Sequence, residues 1–307
     1  MATYDSTNFL VPSIRRRAFV PPSDKAWTDQ RLLDAAWEAL IGVVSGRLRT
    51  LREDFFVRSY TLTTVAGVRS YRLPSRALGA SARDISIRRG MESPRPLRRI
   101  SVEQDRARLD TTGTPAAHWL QGADLFLTPI PDGEYTLLVP YEHRPSRLVP
   151  LASCAVITSI TPATVTVGTS PAGFLTGLAY DVVKAQPPFD VLMLDAPATK
   201  AANTYTFTLP VDGAVAVGDY LCLAGESPVI QAPLDVHPWV TQSAAVEATA
   251  PPLKAAAMAE RERLALEALK ALAPRNQGEP QQLRPGYCEG EIVGYWPGVP
   301  AGGGFWW

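Results

Sequence analysis

The chain has 307 residues, 46% hydrophobic and 20% charged, with 30 basic and 30 acidic side chains and a formal net charge of zero. This is globular composition, long enough for two or three compact units, and it excludes a general electrostatic attraction to nucleic acid or to a membrane surface. No run of 18 or more apolar residues occurs, the first ten residues lack the basic-then-apolar order of a secretory signal, and Cys154, Cys222 and Cys288 are far apart and odd in number. The expectation is a soluble chain made in a reducing cytoplasm, with neither a disulfide framework nor a metal-ligand spacing.

Residues 1–28 read as an irregular N-terminal arm. Pro12, Pro21 and Pro22 and the run Arg15-Arg16-Arg17 suit either a solvated segment or a strap across a neighbouring subunit or a phosphate. From Asp29 to Arg52, Leu33, Trp37, Leu40, Val44, Leu48 and Leu51 recur at intervals of three and four, which predicts one face of an amphipathic helix. Gly42 and Gly46 each weaken that helix by about 1 kcal/mol relative to alanine. Their spacing suits the close approach of another backbone, or ordinary helix packing.

From Phe55 to Leu148 the pattern changes to short strands punctuated by glycine and proline, including 56–62, 68–74, 84–88, 125–127 and 135–141, which predict a small antiparallel sheet. Within it, Arg83, Arg88, Arg89, Arg95, Arg98, Arg99, Arg106 and Arg108 face only Asp84, Glu92, Glu103 and Asp105 in sequence. Such a cluster is a solvated sheet edge, or else a surface in which Arg88, Arg89, Arg95, Arg98 and Arg99 pair with a neighbouring subunit or with DNA phosphate.

Residues 150–232 hold β-branched or aromatic runs every ten to fifteen residues, at 156–157, 164–167, 181–184, 191–194, 204–209 and 220–223. They predict a barrel or sandwich, inserted because helical sequence resumes after it. Asp235 to Thr249 is helix-compatible with His237, Val240, Ala244 and Val246 inward, Pro251-Pro252 stops or kinks it, and Leu253 to Leu272 is a firm helix. The fold class is α+β. Residues 29–149 supply a helix and the small sheet, 150–232 the inserted module, and 233–273 the helices that complete a bundle with the first one.

Residues 274–307 form an extended arm. Tyr287, Tyr295, Trp296, Phe305, Trp306 and Trp307 sit there among glycines and prolines without helical or strand period. Six rings buried are worth on the order of 10–15 kcal/mol gross, comparable to the backbone ordering cost of about 1–2 kcal/mol per residue. The arm therefore docks on a partner or a neighbouring copy, or folds back as a strand on its own domain.

His118, His143 and His237 stand alone and read as surface or interface residues, and no nucleophile elbow, phosphate loop or metal-binding spacing is present. The chain reads as a non-enzyme without cofactor or metal.

Tyr71-Arg72-Leu73-Pro74, Gly113-Thr114-Pro115, Leu127-Thr128-Pro129-Ile130-Pro131-Asp132, Tyr141-Glu142-His143-Arg144-Pro145, the run Gly218 to Pro228 and the run Ala273 to Pro280 occur in that order. This succession resembles the head-to-tail adaptor proteins of short-tailed bacteriophages, over about residues 29–280. The resemblance implies a homo-oligomeric ring of twelve copies beneath the capsid portal, a downstream tail or nozzle partner, and a channel with non-specific contact to genomic DNA. It implies a virion component at the head–tail junction, assembled in the host cytoplasm and free of membrane. It places portal or subunit contacts on Tyr295, Trp296, Phe305, Trp306 and Trp307. The alternatives are a tail-tube or nozzle component, or a host-recognition protein whose inserted module binds carbohydrate.

Overall fold

The structure, a computed structural model, describes residues 4–51, 56–103 and 111–272. The chain opens with helix rather than an irregular arm. The Asp5 carboxylate accepts from the backbone N–H of Thr7 (3.0 Å) and Asn8 (2.7 Å), capping a wide turn at Ser6–Leu10 that runs into α1, Val11–Ala18. Pro12 stands near the start of α1, just after the widened Ser6–Leu10 turn, and the helix continues through it to Ala18. Leu10, Val11, Ile14 and Ala18 bury one face of the segment.

Helix α2 is continuous from Asp29 to Leu51, regular over Asp29–Ala39, widened over Leu40–Val44 and regular again over Ser45–Leu51. Leu32, Leu33, Ala36, Leu40, Val44 and Leu48 are buried, while Trp37 is half-buried and donates its indole N–H to Pro145 O at 3.2 Å. The predicted stripe is therefore the packed face.

The C-terminal helices, α3 (His237–Ala248) and α4 (Lys254–Leu272), pack onto this layer. Helix α3 is buried nearly all round, with Trp239 wholly enclosed between α1, α2 and α4. Its hydroxyls return to its own carbonyls, Thr241 to His237 O and Ser243 to Trp239 O, which satisfies polar groups that water cannot reach. Gln242 links three helices, accepting from Arg17 Nη1 at 3.0 Å and donating to Ala257 O at 3.1 Å. Pro251 and Pro252 fall in a short 3-10 turn, Pro251–Leu253, after which α4 restarts. The prolines separate two helices and leave the bundle intact.

The segment 57–148 forms two main sheets around one core, with a small parallel pair between Thr112–Gly113 and Ile130–Pro131 beside them, not the single sheet expected. Val57–Thr63, Thr136–His143, Ser86–Arg88 and Arg95–Pro96 make the first, with Ala77–Ala82 also paired to Thr136–His143. Ser70–Arg72, Asp124–Thr128, Ala117–Gln121 and Arg98–Arg99 make the second. Gly67, at φ +79°, and the Tyr71 hydroxyl, which accepts from Val65 N (3.0 Å) and donates to Val68 O (2.9 Å), turn the chain from one sheet into the other. Ile85, Ile87, Leu97, Leu125, Leu127, Leu137 and Val139 fill the space they share.

The inserted block is a closed six-stranded antiparallel barrel. Around the ring its strands are Ala155–Ile160, Thr164–Val167, Thr204–Phe207, Val191–Ala201, Ala179–Val183 and Tyr220–Leu223, the last pairing back to the first. Chain entry and exit are clipped together by a parallel pair, Arg147↔Glu226 and Leu148↔Ser227. The distant Cys154 and Cys222 meet at this end of the barrel, the Cys222 thiol donating to Cys154 Sγ at 3.2 Å, and both are free and buried.

Candidate anion-binding surface

Most arginines of the bundle and the junctions have carboxylate partners. Arg15 meets Asp29 at 2.7 Å, Arg47 meets Glu262 at 3.0 Å, Arg147 meets Asp34 at 2.9 Å, and Glu142 receives Arg49 and Arg83 at 2.5 and 3.0 Å. Arg83, part of the sequence cluster, is thus a structural residue. Arg106 and Arg108 lie outside the described residues.

Arg88, Arg89, Arg95, Arg98 and Arg99 differ: among the described residues none of them forms an ion pair. The two-sheet fold also divides them. Arg88 ends the strand Ser86–Arg88 and Arg95 begins its partner Arg95–Pro96, so with Arg89 in the intervening turn they line one concavity. Arg98 and Arg99 belong to the second sheet, and Arg99 borders a shallower recess with Trp119.

The first concavity has a volume of about 290 Å³ and is closed by Thr114, Tyr135, Ser93 and Glu92. Tyr135 carries the Arg89 guanidinium over its ring, 5.9 Å from the centroid, and shares a 2.9 Å hydrogen bond with the Thr114 hydroxyl. Arg95 donates to Pro115 O at 3.3 Å, while Arg88 Nε is buried with no partner. A buried guanidinium nitrogen lacking an acceptor is costly, and an anion in the pocket would supply one. Three guanidinium groups against the single carboxylate of Glu92 favour a phosphate or carboxylate occupant.

All three histidines are buried rather than superficial, at 4%, 4% and 2% exposure for His118, His143 and His237. Burial, reinforced by the Arg99 charge, lowers the His118 pKa. His143 borders a cavity of about 150 Å³ with Phe56, Arg58, Phe189, Asp190 and Gln231, and neither of its ring nitrogens has a hydrogen-bond partner. Burial, then the charges of Arg76 and Arg58, hold its pKa at about 3, so the ring is neutral at physiological pH. Sequence reasoning missed this enclosure. Alternation along Thr136–His143, which puts Leu137, Val139, Tyr141 and His143 on the inner face, was the available signal.

The aromatic platforms that carbohydrate recognition would need are missing from the barrel's rings. Phe174, Tyr180, Phe189, Tyr205, Phe207 and Tyr220 are all buried. The arm residues Tyr287, Tyr295, Trp296, Phe305, Trp306 and Trp307 lie outside the described residues. Among the described residues, no helix is long and apolar enough to cross a membrane.

The family model for the SU10 adaptor protein matches residues 10–217, from the first helix into the barrel. No curated protein matches the sequence. A match over roughly two thirds of the chain places this protein in the SU10 adaptor family, and so among bacteriophage adaptors, which are structural components of the virion.

Proposed function

We propose that this member of the SU10 adaptor family closes into a head-to-tail ring, with twelve copies seated beneath the capsid portal, and joins the portal to the tail. The family match carries the proposal, since it spans α1, α2, both sheets and most of the barrel. Side-by-side contacts of one chain close into a ring when the rotation per copy divides the circle. In this reading the aromatic arm supplies the portal or subunit anchor through Tyr287, Tyr295, Trp296, Phe305, Trp306 and Trp307.

The ring encloses part of the DNA channel. A net charge of zero suits a passage that must not hold a polyanion tightly, and the unpaired Arg88, Arg89 and Arg95 supply local, non-specific contact with phosphate. The role is mechanical and needs no catalytic group. Assembly takes place in the host cytoplasm, with the portal upstream and a tail or nozzle protein downstream.

Mass measurement on the free protein and on its mixture with portal tests the reading. The expected result is a monomer alone and a dodecamer on the portal. A soluble chain that forms no ring under either condition overturns it.

A further inference from the structure

We propose that Cys154 and Cys222 are a cross-linking site, which a disulfide-class oxidant converts into an intramolecular disulfide closing the seam of the barrel. The proposal stands on the barrel alone and does not depend on the adaptor function.

The seam is where the first barrel strand, Ala155–Ile160, meets the last, Tyr220–Leu223, and its ladder is short, with Ala155 opposite Leu221 and Val156 opposite Tyr220. One more step in that register sets Cys154 opposite Cys222. Ile157 N donates to Asp219 O at 2.9 Å, so hydrogen-bonded pairs fall at 157/219 and 155/221, and 154/222 is a non-hydrogen-bonded site. Consistently, the Cys154 N–H is spent on Leu151 O at 2.9 Å, and Cys222 pairs on its other side with Asp181. Non-hydrogen-bonded sites hold opposed Cα atoms about 4.5 Å apart, inside the range a disulfide spans.

The sulfur atoms already touch, at 3.2 Å. Both cysteines belong to one buried apolar cluster with Val149, Val183, Phe189, Val191 and Tyr220, and among the described residues the side-chain hydrogen bond of each thiol is to the other. Closing to a bond of about 2.0 Å asks for a movement of roughly 1 Å.

With oxidised glutathione as oxidant, one cysteine thiolate attacks a glutathione sulfur, forming a mixed disulfide and expelling one glutathione thiolate. The second cysteine then attacks the mixed disulfide at the protein sulfur and expels the other. Two cysteines are oxidised, one glutathione disulfide is reduced to two glutathione thiols, and those thiols take up the two protons. Burial pushes the Cys222 thiol well above its ordinary pKa, so exchange proceeds through transiently opened molecules and is slow in the folded state.

The test uses the full-length chain carrying Cys288→Ser, incubated in oxidised glutathione both folded and during refolding, then read by intact mass, non-reducing peptide map and thermal midpoint. The expected result is loss of two hydrogens, a single linked peptide pair joining 154 to 222, and a midpoint raised by about 5 °C or more that dithiothreitol reverses. Cys154→Ser and Cys222→Ser should each abolish both the link and the shift. Two thiols fully alkylatable after both incubations, or separate glutathione adducts on Cys154 and Cys222, would overturn the proposal.

Discussion

Arg76 donates from Nη1 to Asp181 Oδ2 at 2.8 Å, joining the turn before the strand Ala77–Ala82 to the barrel strand Ala179–Val183, and the Asp181 side chain is fully buried. Arg76 also donates to Ser146 Oγ at 2.7 Å, Gln231 Nε2 donates to the same oxygen at 2.8 Å, and Asp181 accepts from the backbone N–H of Asp195 (2.8 Å) and Gly225 (3.0 Å). Removing the Asp181 charge leaves the largely buried Arg76 with only the half-exposed Asp195 carboxylate, 3.7 Å away, and removing Arg76 leaves the Asp181 charge buried without a cation. Asp181→Asn should therefore lower unfolding free energy by about 3–5 kcal/mol in a urea titration. Arg76→Met with Asp181→Leu should recover only part of that, because two backbone donors still lose their acceptor. A loss below about 1 kcal/mol would show that the junction is held by something else.

Local signals were legible and long-range ones were not. The α2 stripe, the six barrel strands and the break at Pro251-Pro252 each follow from periodicity or turn chemistry within about 20 residues. The Arg76–Asp181 pair, the Cys154–Cys222 contact and the pairing of Val57–Thr63 with Thr136–His143 join residues 68 or more positions apart, and no periodicity reports such meetings. The first helix was hidden differently. Pro12 and the Arg15-Arg16-Arg17 run masked a buried face at Leu10, Val11, Ile14 and Ala18. At the candidate site the arginine cluster was visible as composition, but its division between two sheets is a fact of topology.

His143 should make the fold acid-labile. Its folded pKa of about 3 lies below the ordinary imidazole value of 6.5, so between these the unfolded chain binds the extra proton and stability falls as pH falls. The loss from this one group should approach 1.4 kcal/mol per pH unit well inside the window and vanish above pH 7. Denaturation midpoints measured from pH 7 to 4 check it. His143→Phe should make the profile less steep over that range, leaving the same-signed contributions of the buried His118 and His237, and an unchanged slope would reject the assignment.

Arg89 and Arg95 are exposed, so replacing both with alanine should change stability by no more than about 0.5 kcal/mol. Binding to a duplex of mixed sequence should weaken, and the log–log salt slope should become shallower by about 0.9 for each phosphate that the variant no longer neutralises. Intact DNA binding with impaired ring formation would reassign the pocket to a carboxylate on a neighbouring copy.

Deleting residues 285–307 should leave the bundle, the paired sheets of 57–148 and the barrel folded, with an unchanged thermal midpoint, and abolish attachment to the portal. A shortened chain that keeps its upstream attachment would instead behave as a tail-tube or nozzle component. A truncated chain with a sharply lowered midpoint would show that the rings belong to the protein's own core.

Gly42 and Gly46 lie one helical turn apart on α2, and among the described residues an added Cβ at either would meet no atom within 4 Å beyond its chain neighbours and the adjacent backbone of its own helix. Packing inside the chain therefore does not require glycine there, and neither position has positive φ. Replacing each with alanine should stabilise the free protein by about 1 kcal/mol, since the helix loses its most flexible residues without a clash. Val43, 39% exposed between them, leaves the same stretch open to a neighbour. If that neighbour's backbone packs here, the double variant gains stability alone yet forms fewer rings on the portal, which is the expected outcome of comparing its melting with its portal-bound mass. Unimpaired ring formation would exclude this helix face from the interface between copies.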